Sequence, residues 1–492
     1  MIPETDYVHS LESVDAAGNV SSRVDSSIWQ IQFTPLAVLG GASETSAPSS
    51  ATNLNQSTPY GLEWSNSEFD PGFFSHDTST DSHKLTVNVD GDYLLTYNLP
   101  IFTTRARRAV ASSVFVNGVE LADFYTSSTY VRNASGHNES SSHMTVLLEG
   151  LNADDEIEVR VFRDSGNNTV TSPQGAEMSL EYLTSSREVF TASASQVTGG
   201  TNLNGTTLDS LEWSQSRVDT PYTHSDASQP HEITLNDIGD YFVFVSIPLQ
   251  MPTCVGNSDR TNVQIEVHLD GVQVSGGTAS QGYIRCRSSH TKTSIYWHGL
   301  VRTSSANQVL TLRTIGETTR TTPVEVANGR NARVLIDKVN TSAEFLSVRG
   351  HRTIASTNWN SSTTGSSIQW DTQEILDASV FTHSTSSDNH KITVQSAGDY
   401  QVVYNDHLME ASGTRLNPRI QLLVNGVARD SLVCKSHYIR NATGHEESSC
   451  SMSFVLLNLD AGDELQFLVT REGAGGTTNS VSDARLSIWK RN

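Results

Sequence analysis

The sequence has no apolar run long enough to cross a membrane. A transmembrane helix needs about 20 predominantly apolar residues in succession, and the hydrophobic residues, 36% of the chain, are dispersed in shorter groups. The opening stretch MIPETDYVHS has neither the basic start nor the apolar segment of a secretory signal. We therefore expect no membrane insertion and no cleaved leader.

Positive charge is scarce. The 492 residues include 32 Lys and Arg against 54 Asp and Glu, which gives a formal net charge of −22. Nucleic-acid backbones are bound by clustered basic side chains, so we expect no nucleic-acid partner. One dense basic group occurs at Arg105, Arg107 and Arg108, and Arg260 and Arg415 occupy similar places later in the chain. Pairing with acids across an interface and simple solvation both remain open for these arginines.

Cysteine is rare, with four residues in the whole chain. Cys254 and Cys286 are 32 residues apart, and Cys434 and Cys450 are 16 apart. Because no CxxC occurs, we expect no zinc site. Two interpretations remain open, a disulfide within each pair and free thiols in strands.

A sustained helical period is also missing. Apolar residues instead alternate with polar ones, as in Leu85, Val87 and Val89, which is the period of a strand with one buried face. The dipeptides at Asn117-Gly118 and Asn425-Gly426 indicate hairpin turns between such strands. The sequence therefore predicts an all-β protein.

The chain contains one unit three times. Landmarks recur in the same order, among them an early tryptophan, an H-x-[IL]-T stretch, a GDY turn, an [ND]G hairpin and a Y-[VI]-R stretch. The repeated aromatic positions are Trp64, Trp213 and Trp370, and the GDY tyrosines Tyr93, Tyr241 and Tyr400. Copies one and three are closest, and the middle copy has diverged, so its loops need not share a function with the others.

This order of motifs resembles the globular head of complement and the tumour-necrosis-factor-like jelly roll. The residues that carry the resemblance are the three GDY turns and the L-x-A-G-D-E turn within Leu459–Leu465, which the middle copy lacks. The resemblance implies three tandem antiparallel jelly-roll sandwiches. It also implies trimers packed through apolar faces, as is typical of virion decoration or fibre proteins built from this fold.

We place the boundaries at 1–27 for an N-terminal docking arm, 28–185 for jelly roll 1, 186–342 for the divergent jelly roll 2 and 343–492 for jelly roll 3. Short links and the neighbouring termini of this fold favour copies lying side by side as a pseudo-trimeric monomer. A homotrimer with stacked layers is the alternative.

Two nearly identical loops, YVRNASGH and YIRNATGH, are the candidate recognition loops. Tyrosine offers a flat apolar face and arginine a forked donor, which suits a host-surface glycan or a protein. The residues concerned are Tyr130, Arg132, His137, Tyr438, Arg440 and His445. A structural strand is an equal alternative, because Tyr283 and Arg285 repeat the pattern in the middle copy. A hydrolase is disfavoured, and we assign no catalytic residue.

Other histidines and acids recur too. His76, His224 and His383 stand at equivalent places and could hold a metal or an anion, although turn capping is the more ordinary role. The acidic turns at 154–156 and 460–464 leave calcium as a minor alternative. We expect no cofactor and no metal.

The hypothesis that fits these observations is a non-enzymatic virion protein, a capsid decoration or fibre adhesin of a bacteriophage. Its docking arm would use Tyr7, Val8 and Leu11 to bind capsid or tail proteins. It would be assembled in the host cytoplasm and lie on the virion surface. The alternative is an extracellular recognition protein of the soluble-lectin or complement-head kind, which predicts disulfides at Cys254–Cys286 and Cys434–Cys450.

Overall fold

The computed structural model describes residues 10–11, 24–25 and 34–491, except 106, 129, 186, 254–259, 288–289, 317–321, 340–343, 414, 436 and 443. The chain divides into two compact units, residues 1–34 with 492, and residues 35–491. In the first unit, Ser10–Leu11 (β1) pairs antiparallel with Val24–Asp25 (β2). Of the predicted docking arm, Leu11 lies in β1, whereas Tyr7 and Val8 lie outside the described residues.

The described part of the second unit contains strands and no helix, which confirms the all-β prediction. It holds three copies of the same unit, each with twelve strands. The strands of copy 1 are β3 Leu36–Ala42, β4 Glu44–Thr45, β5 Tyr60–Glu63, β6 Asn66–Phe69, β7 Phe74–Ser75, β8 Leu85–Val87, β9 Gly91–Phe102, β10 Ala109–Val116, β11 Val119–Ser127, β12 Glu139–Leu151, β13 Glu156–Ser165 and β14 Ala176–Leu183.

The strands of copy 2 are β15 Val189–Ala194, β16 Asp209–Ser210, β17 Ser214–Val218, β18 Tyr222–His224, β19 Ile233–Leu235, β20 Asp240–Gln250, β21 Arg260–Leu269, β22 Val272–Arg285, β23 Lys292–Arg302, β24 Gln308–Gly316, β25 Glu325–Val326 and β26 Ala332–Lys338. Those of copy 3 are β27 Phe345–Gly350, β28 Arg352–Thr353, β29 Ser366–Gln369, β30 Thr372–Leu376, β31 Phe381–Thr382, β32 Ile392–Val394, β33 Gly398–Ser412, β34 Pro418–Val424, β35 Val427–Cys434, β36 Glu447–Leu459, β37 Glu464–Arg471 and β38 Thr477–Lys490.

Each copy is a sandwich of two antiparallel sheets. One sheet, which we call the inner sheet, runs β12-β9-β14-β3-β6 in copy 1, β17-β15-β26-β20-β23 in copy 2 and β30-β27-β38-β33-β36 in copy 3. The outer sheets run β11-β10-β13-β5-β4, β18-β19-β24-β21-β22 and β28-β29-β37-β32-β31, with further short strands at their sides. The middle copy therefore completes its last strands, β24 and β26, without the L-x-A-G-D-E turn.

The repeated aromatic residues build the three sandwich cores. The tryptophans at 64, 213 and 370 and the GDY tyrosines are at most 1% exposed. Each GDY tyrosine also donates its hydroxyl to a backbone carbonyl four residues earlier, Val89, Asp237 or Ser396. That bond closes the turn before the inner-sheet strand and fixes where the strand starts.

The inner sheets are buried on both faces. In β9 the side chains of Tyr93, Leu95 and Tyr97 belong to the core of copy 1, whereas Leu94, on the opposite face, belongs to a cluster shared by all three copies. A strand covered on both sides needs no polar alternation, which explains the unbroken burial from Tyr93 to Ile101. The three copies therefore pack through their inner sheets.

One end of this arrangement carries the links between copies. Strands β9, β20 and β33 begin there, and Leu183 of β14, which precedes the first link, pairs with Asp92 of β9. We call it the linker end. Strand β9 spans roughly 35 Å at about 3.3 Å per residue, so the loops after β9, β20 and β33 lie at the opposite, distal end.

Candidate functional site

The surface shared by the three copies is apolar at the linker end. Its cluster takes Leu94, Leu147 and Leu183 from copy 1. Copies 2 and 3 contribute Val189, Phe242, Phe244, Leu300, Leu335, Phe345 and Val403. Phe242 stacks on Trp489 with ring centroids 4.2 Å apart, which joins copies 2 and 3 directly. Burial of these apolar side chains is the main force that holds the copies together.

Further along the shared surface, one serine of each copy accepts a backbone hydrogen bond from the preceding copy. Ser294 accepts from the N–H of Ser127 at 2.8 Å, and Ser449 accepts from that of Ser280 at 2.8 Å. The ring closes because Ser141 accepts from the N–H of Lys435 at 3.0 Å. Copy 1 thus donates to copy 2, copy 2 to copy 3 and copy 3 to copy 1. The same contact made three times shows a pseudo-threefold arrangement within one chain.

A disulfide between Cys434 and Cys450 lies beside this serine ring, within copy 3. His143 is close to both sulfurs, but sulfurs joined to each other are not thiolate ligands for a metal. Cys286 is also disulfide-bonded. Cys254, its predicted partner, lies outside the described residues.

We predict that the variant Cys434→Ser/Cys450→Ser loses about 3 kcal/mol of unfolding free energy, because the bridge closes a loop of 16 residues in the unfolded chain. Urea unfolding followed by tryptophan fluorescence measures the change. Reductant should lower the unfolding free energy of the wild type by more than that of the variant, because the variant has no Cys434–Cys450 bridge to lose. A variant as stable as the wild type would contradict the prediction.

In each of the three copies, one backbone hydrogen bond closes the candidate loop. The backbone N–H of Arg132 donates to the carbonyl of His137 at 2.6 Å, and that of Arg440 donates to His445 at 2.8 Å. The middle copy makes the same bond from Arg285 to His290 at 2.8 Å. The shared pattern is therefore Tyr-x-Arg followed, five residues after the arginine, by histidine. The middle copy makes the same closing bond, although its residues between Arg285 and His290 differ from those of copies 1 and 3.

Copies 1 and 3 both have glycine directly before the loop histidine. Gly136 and Gly444, each just before the histidine, have φ of 70° and 77°, where side chains with a Cβ are strained. A Cβ on Gly136 would also lie 2.4 Å from the Cα of Gly473 in copy 3. In copy 1, this close approach to copy 3 requires glycine at position 136.

The loop histidines are buried where the three copies meet. His137 of copy 1 stacks on Tyr438 of copy 3, with ring centroids 3.4 Å apart and planes 9° apart. His290 of copy 2 lies against Tyr130 of copy 1, also at 3.4 Å. His137, His290 and His445 are each at most 1% exposed, and Tyr130 and Tyr438 are 3% exposed. The expectation that the tyrosines offer open faces to a ligand is therefore corrected, because the neighbouring copy covers them.

Two rings of arginine surround these histidines. Arg132, Arg285 and Arg440 stand at the same place in the three loops and are half-buried. A second set of equivalent arginines consists of Arg107, Arg260 and Arg415. Each directly precedes a residue that pairs with the loop residue between the tyrosine and the arginine, and these pairs are Arg108 with Val131, Thr261 with Ile284 and Leu416 with Ile439. Arg260 is paired in register with Arg285, which places the two rings next to each other.

The electrostatics link each histidine to arginines of the preceding copy. Burial first, and then the charges of Arg107 and Arg285, lower the pKa of His290 to about 2. Burial lowers the pKa of His445 well below its usual range, with added contributions from His137 and Arg260. For His137 burial again comes first, followed by Arg132, His290 and Arg415. The cluster is therefore a positive site with neutral imidazoles at its centre.

The sequence predicts the loops of copies 1 and 3, because YVRNASGH and YIRNATGH are nearly identical. It does not single out His290, because RCRSSH in the middle copy differs from RNASGH at three of six positions. The spacing from tyrosine to histidine, seven residues in every copy, is the signal that finds it. The arginines at 107, 260 and 415 were noticed in sequence, but their meeting at one place depends on the packing of copies.

The other recurring histidines take the ordinary role. His76 bonds the carbonyl of Ser82 at 3.0 Å, His224 that of Glu232 at 2.7 Å, and His383 that of Asn389 at 3.3 Å. Each one closes a turn within its own copy. They do not meet at the shared surface.

The acidic turns use carboxylates to pin hairpins. Asp155 accepts from the side chain of Asn117 at 2.7 Å and from the N–H of Asn152 at 2.8 Å. Asp463 accepts from Asn425 and from the N–H of Asp460 in the same way. These two carboxylates therefore hold the turns in shape through hydrogen bonds to turn donors.

A cavity of about 530 Å³ opens in copy 2. Its lining includes Glu212, Trp213, Asp226 and Asn331. Asp226 accepts a hydrogen bond from the hydroxyl of Ser214 at 3.1 Å.

No helix that could span a membrane occurs in the described part of the chain. No protein-family model matches the sequence, and no significant match was found among curated proteins. Among solved structures, the chain is similar to crystal structures of murine APRIL determined at pH 5.0, pH 8.0 and pH 8.5. Each comparison has 10% identity, covers 31% of this chain and 99% of the APRIL chain, and has a TM-score of 0.22. The jelly-roll description rests on the sheet topology given above.

Proposed function

We propose that the chain is a non-enzymatic structural protein of a virus particle, a capsid decoration or fibre head of a bacteriophage. Residues 1–27 would bind capsid or tail proteins. The jelly-roll loops would stabilise the particle or bind a glycan or protein of the host surface. The fold alone does not fix this role, so its support comes from how the copies are joined.

The observation that carries the proposal is the closed ring of contacts between copies. Ser141, Ser294 and Ser449 repeat one bond around the chain, and the apolar cluster at the linker end has members from all three copies. One chain thereby supplies a complete trimer-like head. Leu36, where the chain enters copy 1, pairs with Glu181 near the linker end.

We expect the purified protein to be a monomer of about 53.5 kDa by light scattering at micromolar concentration, since its inner sheets are already covered within the chain. Removal of residues 1–27 should lower the mass only by the mass of that segment. A mass near three times the chain's would contradict a self-contained head and favour stacked homotrimers.

Residence on a particle is tested on virus particles purified by density gradient from the source culture. Mass spectrometry should find peptides of this chain in the DNA-filled fraction at a fixed ratio to the major capsid protein, resistant to a high-salt wash. Recovery only from the soluble fraction would count against the virion role.

An extracellular recognition protein is the second candidate, and the disulfides favour it. Cys434–Cys450 is formed and Cys286 is disulfide-bonded, and such bonds persist mainly in oxidising compartments. This candidate predicts oxidised protein in the medium of cultures that contain no particles. Protein found there as free thiols would remove its support.

A further inference from the structure

The six arginines at the distal end concentrate positive charge in a chain with net charge −22. Three stand in the loops, at 132, 285 and 440, and three beside them, at 107, 260 and 415. We propose that this site, between the three copies on the pseudo-threefold axis, binds an oxyanion, meaning a phosphate, sulfate or carboxylate group. The inference does not depend on the virion role.

The first argument is the lack of neutralising acids. Among the described residues, no ion pair joins Arg107, Arg132, Arg260, Arg415 or Arg440 to a carboxylate. The Nε of Arg260 is buried and has no hydrogen-bond partner within the described part of the chain. By contrast, Arg160, Arg187 and Arg349 each form an ion pair with a carboxylate elsewhere in the chain. Concentrated charge of one sign in a half-buried place is costly unless a counter-charge joins it.

The nearest acidic side chains do not neutralise the positive charge of the arginines. Glu446 accepts from the backbone N–H of His445 at 3.2 Å, and Glu139 is paired with Lys435 at 2.7 Å. Burial and then Glu446 raise the pKa of Glu410, which favours its neutral form. Glu472 is paired with Arg419 at 3.3 Å. The arginines therefore exceed the acids around the site.

The second argument concerns the sign of the ligand. Three histidines at equivalent places would suit a transition metal on geometry alone. Here, however, each imidazole lies among arginines of its own and a neighbouring copy. That field opposes a cation and favours an anion. Arginine also presents forked donors that match the oxygens of phosphate, sulfate and carboxylate.

The third argument is symmetry. The bond that closes the loop, from the arginine N–H to the histidine carbonyl, occurs in all three copies, including the middle one, whose sequence has diverged. Arginine stands at both of two sets of three equivalent places, 107, 260 and 415, and 132, 285 and 440. A group with several equivalent oxygens, bound on the axis, uses all three copies in the same way.

The test is isothermal titration of the whole protein with sodium phosphate and with sodium sulfate, at constant ionic strength in chloride. We expect one ion per chain. The variant Arg132→Gln/Arg285→Gln/Arg440→Gln should bind at least ten-fold more weakly. Arg302→Gln is the matched control, because Arg302 is half-exposed, paired with Asp240 at 2.7 Å and located at the linker end. It should bind like the wild type.

A second arm uses a short sulfated oligosaccharide. Tighter binding than inorganic sulfate would assign the site to an anionic group on a glycan, and equal or weaker binding would assign it to a free ion. If the triple variant does not fold, Arg440→Lys alone should still weaken binding several-fold while the circular dichroism spectrum stays native. Binding that is unaffected in both variants, or stoichiometric binding of Ni²⁺ or Zn²⁺ without any of anions, would overturn the proposal.

Discussion

The double variant His143→Ser/His298→Ser should be less sensitive to acid than the wild type. Between pH 6.5 and pH 4.5 its unfolding free energy should fall by about 5 kcal/mol less than that of the wild type. Both histidines are buried where the inner sheets meet, at most 2% exposed. Burial lowers the pKa of His143 to about 3, with a further contribution from His298. Burial also lowers the pKa of His298 to about 3, against an opposing hydrogen bond with Met452.

The sign follows from where the protons bind. Histidine in the unfolded chain takes up a proton below about pH 6.5, whereas these two stay neutral in the folded protein until about pH 3. The stability they contribute is therefore complete above pH 6.5 and is lost as the pH falls. Each histidine costs about 1.4 kcal/mol per pH unit in that window. Two residues over two units give the expected difference.

Serine is the natural replacement, because copy 3 carries it at both places. The register of β36 on β33 puts Ser451 and Ser453 where β12 carries His143 and β23 carries His298. Both proteins are unfolded with urea at several pH values and compared by the slope of stability against pH. The comparison cancels Glu177, whose pKa burial raises to about 7 and which acts in the opposite direction.

His351→Ser is the control for that experiment. His351 is exposed, with its side chain 53% accessible, and it lies outside the surface where the inner sheets meet. Its removal should leave the slope near that of the wild type. Equal slopes for the double variant and the wild type would show that protonation of the shared surface does not drive acid unfolding.

Local pattern was enough to predict the sandwiches. The period of two, the GDY turns and the [ND]G hairpins depend on near neighbours, and they gave an all-β fold that the structure confirms. The hairpin dipeptides do adopt the left-handed conformation, with φ of 50° at Asn117 and 76° at Gly118. Such turns are read from sequence because two residues determine them.

The surface shared by the three copies cannot be predicted from local sequence pattern, because it depends on which strands of one copy face the next copy. Ser141, Ser294 and Ser449 look like solvent-facing residues of polar strands, yet each is bonded to the neighbouring copy. Tyr130 and Tyr438 likewise lie in polar loops that the sequence predicts to be exposed, yet the neighbouring copy covers them. Polar residues lie on this surface because backbone N–H groups of the next copy need acceptors there.

Arg187→Met should cost about 3–5 kcal/mol of unfolding free energy, as expected when one partner of a buried charge group is removed. Arg187 lies in the first link and bonds Glu181 of copy 1 at 2.7 Å and both oxygens of Asp337 of copy 2. Arg491, after the last strand of copy 3, bonds Glu181 at 2.8 Å. These four charges join all three copies at the linker end.

The removal is costly because the acids stay behind. Burial raises the pKa of Asp337, and Arg187 is the main group that opposes this rise. Without the guanidinium, Asp337 must either remain charged and unpaired or take up a proton, and both cost free energy. Glu181 keeps Arg491 as a partner, so the larger part of the effect should fall on Asp337.

Two further variants separate this explanation from loss of packing. Arg187→Met/Asp337→Leu removes both charges and should recover at least half of the lost stability, since no buried carboxylate is left uncompensated. Arg302→Met breaks a half-exposed pair with Asp240 and should cost no more than about 1 kcal/mol. Urea unfolding measures all three. If the double variant is as unstable as Arg187→Met, the arginine matters for its packing in the link and not for the charge it neutralises.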